Sequence, residues 1–202
     1  MGVGMYAQLW PLVLTIAMAA GYFLKQFVWP AAATRKHEQL RLDWLQSLTT
    51  TAHTEVLGVQ TIRNSLMSCT MTATTATLAF MGGVSLLHGD WAALGDVQRQ
   101  HALHLHALAV LLLLGLAFVT SMLAARQWHH AGFVVGMPVD SPQRQQWLQV
   151  GQTSLCRAGR YYAASVRLMM WCVPLLLVGL FPRAGLASAG LLLAVLLLGI
   201  DR

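Results

Sequence analysis

Apolar residues gather into long runs along this chain, each close to the length a helix needs to cross a bilayer, about 20 residues at 1.5 Å of rise per residue. The first covers residues 9–29, with Trp10 and Trp29 where aromatic rings favour the headgroup boundary and Lys25 near enough to snorkel to it. The second, 66–87, is crowded with Ser68, Thr70, Thr72, Thr74, Thr75, Thr77, Gly82, Gly83 and Ser85. Small and hydroxylated residues let helix backbones approach closely, so this run is expected to be the span most enclosed by others. The third, 105–125, is strongly apolar and ends at Arg126. The fourth, 163–181, must accommodate Arg167 and Pro174, and a turn at Pro182 and Arg183 separates it from a Leu-rich fifth run, 185–200. These last two arms are short for full crossings, and four spans plus a re-entrant hairpin is the competing count.

Two polar stretches, 31–64 and 126–160, separate the runs and read as loops. In the first, Leu40, Trp44, Leu45 and Leu48 share a helical face opposite Gln39, Arg41, Asp43 and Gln46, the pattern of a helix lying on the membrane. A second amphipathic segment, carried by Val56, Val59, Ile62 and Leu66, leads through Arg63 and Asn64 into the second span. The other stretch contains Pro138 and Pro142 and room for a short helix around residues 143–150. The whole reads as an all-α, polytopic transmembrane helical bundle of about five spans with amphipathic interfacial helices, forming a single domain over 1–202.

Composition agrees: 56% of the 202 residues are hydrophobic and 10% charged, which makes a bilayer the expected solvent. The net charge of +6 is then a topology signal before it is a nucleic-acid footprint. With five spans, every Lys and Arg except Arg99 and Arg183 falls on one side, which the positive-inside rule makes cytoplasmic. The expected setting is therefore a bacterial inner membrane, with the N-terminus outside, the C-terminus inside and anionic lipid against the basic loops. Leu9 onward lacks the basic n-region and cleavage site of a signal peptide and is expected to be retained as a span. Cys69, Cys156 and Cys172 have no CxxC spacing and imply no disulfide framework.

Candidate chemistry is sparse. His88, His101 and His104 fall on the outer side, the last two on one helical face, and imidazoles at that spacing could hold copper or zinc, while His88 facing His104 from an adjacent helix could ligate a haem. Interfacial histidines at the headgroup zone explain the same residues. On the cytoplasmic side Arg63, Asn64, Arg160, Tyr161, Tyr162 and Arg167 cluster near helix mouths, where arginines contact lipid headgroups, phosphate or a partner's carboxylate, or simply anchor the helix ends. Paired intramembrane carboxylates, a P-loop and a nucleophile elbow are all missing from the sequence.

The run from Val59 through Arg63, Asn64 and Cys69 to Thr70, followed by Ala73, Thr74 and Thr75, resembles the family known as domain of unknown function 599. Further matches are Arg126 with His130, Gly159 and Arg160 with Tyr161 and Tyr162, then Trp171, Pro174 and the closing stretch from Leu198 to Asp201. Val166 and Arg167 stand where the family pattern leads one to expect a proline. The resemblance implies an integral membrane protein of bacterial or plant type and supplies no activity. The leading expectation is a non-catalytic subunit or scaffold packed among other integral membrane subunits and lipids, with no nucleic-acid partner. A small transporter or channel, and a metal-binding accessory of a membrane enzyme, are the alternatives.

Overall fold

A computed structural model describes residues 2–51, 54–87 and 97–200. The described chain is helical nearly throughout: α1 (Gly2–Val28), α2 (Ala32–Thr50), α3 (Glu55–Leu87), α4 (Val97–Val135), α5 (Pro142–Leu180) and α6 (Pro182–Val195), whose last turn widens into a π-helix, Leu196–Ile200. Among the described residues four segments are long and apolar enough to cross a membrane: Leu9–Val28, His101–Val135, Pro142–Leu180 and Pro182–Ile200. The remaining expected span lies on α3, where hydroxyls and glycines dilute the hydropathy. About five spans is thus consistent with four apolar helices and one more polar one. Only Phe181 separates α5 from α6, and the 19-residue segment after it is long enough to cross by itself.

The stretches read as loops are mostly helix. α4 runs on to Val135 and α5 starts at Pro142, so only residues 136–141 are left between them. At 39 residues each, these helices are about 58 Å long, nearly twice the ~30 Å hydrocarbon core, and must leave the bilayer. The extension is hidden in a hydropathy profile because its seam is built from small and polar residues. Ala117, Ser121, Ala124, Trp128, Ala131 and Val135 on α4 alternate by four and three and are all buried. Gly151, Leu155, Ala158, Tyr162 and Ser165 repeat that spacing on α5, as do Gly58, Ile62, Ser65, Cys69 and Thr72 on α3. Such a repeat keeps one narrow stripe facing a partner helix, and small side chains bring the backbones close.

The chain divides into two compact units, and α3, α4 and α5 each contribute one part to each. Unit 1 comprises residues 1–32, 76–116 and 167–202; its core sets Leu12, Val110, Leu114, Cys172 and Leu175 in one cluster and Ala19, Tyr22, Trp171, Ala189 and Leu196 in another. Gly185 lets α6 lie directly on α5, since a Cβ there would fall on the backbone of Val178. Unit 2 comprises 33–75 and 117–166, with a core of Leu45, Leu48, Ile62, Cys69, Trp128, Val135 and Leu155. Two buried hydroxyls fasten α4 to α5 there. Ser165 donates to the Ala117 carbonyl at 2.9 Å, so its 2.6 Å contact with Ser121 has Ser121 as the donor.

The α2 helix does present an apolar face, but one rotated from the expected one. Leu45 and Leu48 are buried, whereas Leu40 is 64% exposed and Arg41 turns inward. Glu38 faces in because Arg160 meets it there, and Arg41 because Gly159 leaves room for its guanidinium. Arg144, 1% exposed, ties this unit together: its two terminal nitrogens donate to the Met137 carbonyl at 2.7 Å and the Leu48 carbonyl at 3.0 Å. It therefore places a positive charge at the C-terminal ends of both α2 and α4, where helix dipoles are negative.

Candidate functional site

Two features stand out among the described residues. The first is a charged group in unit 2. Arg160 on α5 grips Glu38 on α2 in a two-pronged pair, Nε to Oε1 and Nη2 to Oε2, the latter at 3.0 Å. The guanidinium holds the Glu38 carboxyl below its ordinary pKa of 4.5, against an opposing push from burial. One turn along α2, the Arg41 guanidinium lies over Gly159, in space that any side chain at 159 would occupy. Burial lowers the pKa of Arg41, with Cys156 and Glu38 acting in the other direction. Beside the pair is an open cleft of about 460 Å³ lined by Leu42, Gln149, Gln152, Thr153, Cys156, Arg157 and Arg160. Its cationic wall suits an anionic headgroup or a carboxylate.

The second feature is the surface of α3. Among its described residues only a stripe through Gly58, Ile62, Cys69, Ala73 and Ala76 is buried, while Ser68, Thr70, Met71, Thr74, Thr75, Leu78 and Gly82 are exposed. The expected most enclosed helix is instead among the most open. The hydroxyls need no neighbour because each is satisfied within the helix: Ser68 donates to the Asn64 carbonyl at 3.1 Å, Thr72 to Ser68, Thr74 to Thr70 and Thr75 to Met71, all three at 2.9 Å.

The residues singled out in the sequence separate accordingly. Arg160 enters the charged group, and Tyr161 and Tyr162 pack against the unit 2 core. Arg63 and Asn64 are exposed on α3, and Arg167, half-buried, belongs to unit 1. His88 lies outside the described residues, His101 is exposed and His104 half-buried, and among the described residues no three His, Cys, Asp or Glu side chains are placed to hold a metal ion. Sequence reasoning missed Glu38 and Arg41. Their partners lie more than a hundred residues away, and no local spacing announces such a pair.

A family model described as a protein of unknown function, DUF599, matches residues 8–202, nearly the whole chain. No curated protein and no solved structure matches.

Proposed function

Since the chain belongs to the DUF599 family, whose description names no activity, its task has to be argued from its own surfaces, and we propose that it is a non-catalytic integral membrane subunit that docks other transmembrane helices on α3. The observation that carries this reading is the exposed Ser, Thr and Gly surface of that helix. Lipid tails gain nothing from small residues, whereas a second helix does, because the backbones approach closely and dispersion contacts accumulate. The hydroxyls, already bonded to their own carbonyls, enter such an interface without a desolvation penalty. The charged group of unit 2 supports a cytoplasmic role as anchor: the basic residues Arg35, Lys36, Arg41, Arg63, Arg126, Arg144, Arg157 and Arg160 all belong to that unit. This asymmetry favours an inner-membrane orientation with the N-terminus outside.

The test is crosslinking in native membranes. Thr74→Cys, in a chain freed of its natural cysteines, is expected to form a crosslinked species of higher mass, while Leu112→Cys, on the lipid-exposed surface of α4, is expected to form much less. A monodisperse lone protein after gentle extraction, with no crosslink from α3, would refute the reading.

A further inference from the structure

Unit 1 contains a cavity of about 610 Å³ bounded by α3, α4 and α5, within the range of ordinary small-molecule sites. Its walls are almost wholly apolar, among them Gly82, Val110, Leu114 and Leu176. One polar ring interrupts them. His106 on α4 lines the cavity yet is 94% buried, being 6% exposed. Its Nδ1 lies 2.6 Å from the Ala102 carbonyl oxygen. A carbonyl only accepts, so Nδ1 carries the proton, and in the neutral ring the lone pair is on Nε2. That atom is buried with no hydrogen-bond partner among the described residues. The ring packs against Gly179, whose missing side chain gives it room.

We infer that this cavity binds a lipid-soluble molecule with an apolar body and a hydroxyl that donates to Nε2 of His106. Apolar walls with no Lys or Arg give a carboxylate or phosphate nothing to pair with. A water molecule needs two to four polar partners, and among the described side chains lining the cavity the Cys172 thiol is already turned to the Leu168 carbonyl at 3.4 Å, which leaves Nε2 as the one side-chain nitrogen or oxygen there without a hydrogen bond. A ketone or ether would bring a second acceptor to the first and leave both unmet. A hydroxyl on a hydrocarbon frame meets every requirement. The shared chemistry fits two sources, a ring phenol of quinol type and a long-chain alcohol of lipid origin.

The two can be told apart in lipid nanodiscs holding the full chain. The probes are decyl hydroquinone with its dimethyl ether, and dodecanol with its methyl ether, with binding followed by tryptophan fluorescence. At least one hydroxyl probe is expected to bind on the order of tenfold more tightly than its ether. The pair that shows the preference identifies the source. His106→Phe is expected to abolish the preference. Gly82→Leu, at a position where an added Cβ meets nothing within 4 Å, fills the cavity from the α3 side and is expected to weaken hydroxyl and ether alike with helix content unchanged. Equal affinity of hydroxyl and ether for the unaltered protein, or a preference that survives in His106→Phe, overturns the inference. A metal-ligating histidine also turns its second nitrogen to a carbonyl, so a tetrapyrrole absorbance band that disappears in His106→Phe overturns it too. Should His106→Phe fail to fold, undiminished binding in Gly82→Leu decides against the site.

Discussion

Arg144 shows how far one residue's role can lie from its sequence context. In the sequence it is one more cation of a polar stretch; in the fold it is buried and bonded to the carbonyl ends of two helices. Arg144→Ala leaves both carbonyls unmet, and hydrogen bonds to a charged group contribute about 1.5–3 kcal/mol each. The expected loss is about 3 kcal/mol, read as a fall in melting temperature of roughly 6–12 °C in detergent. The Glu38–Arg160 pair has a pH signature. Because the folded-state pKa of Glu38 is depressed, the stability it contributes is present above the ordinary value of 4.5 and is lost as pH falls through the lower folded value. Glu38→Gln should lower the melting temperature slightly at neutrality, and the difference from the unaltered protein should vanish as pH falls through that acid range. With Arg160 63% exposed, the whole effect stays small. Arg160 could be picked out from the sequence as a cation near a helix mouth. Glu38 could not, because only the packing of α2 against α5 makes it a partner.

Among the elements, α3 and α6 use small residues in opposite ways. On α6, Gly185 permits a backbone contact with α5, while Gly190 faces open space. Gly185→Ala should therefore destabilise by roughly 1–3 kcal/mol through overpacking. Gly190→Ala should be neutral or stabilising by about 0.5–1 kcal/mol, as expected for a helix-interior glycine replaced without a clash. Thermal unfolding of the two variants side by side checks the contrast. On α3 the small residues contact nothing across much of their surface. Thr74→Val removes an intrahelical hydroxyl bond at an exposed site and should change stability by less than about 0.5 kcal/mol. Thr74→Trp should be similarly tolerated by the isolated chain yet obstruct a docked helix, so its association in native membranes should fall while its melting temperature does not. The enclosure expected of this helix followed from its composition, but composition cannot say which chain supplies the neighbour.

For the molecule as a whole, the arrangement of charge sets the expected topology. Single cysteines at Lys36 and Gln145, both exposed in unit 2, should be labelled by an impermeant reagent only from the cytoplasmic side, and one at Arg183 only from outside; labelling of all three from one side would contradict five crossings. Membrane residence, helical class and family were legible in the sequence, because a bilayer core forces every backbone polar group into its own helix and so writes long apolar runs into the chain. Of the helical extensions within 126–160 only the short helix around 143–150 was legible, since the Ala, Gly and Ser seams of the rest leave no hydropathy signal. Likewise the sequence put His106 at the start of the third apolar run, yet only the tertiary structure turned Nδ1 to a carbonyl and left Nε2 buried and without a hydrogen bond in a residue that lines a cavity walled by three helices. Periodicity along one helix reports which residues share a face; what that face meets depends on contacts between residues far apart in the chain, and these exist only once the helices have packed.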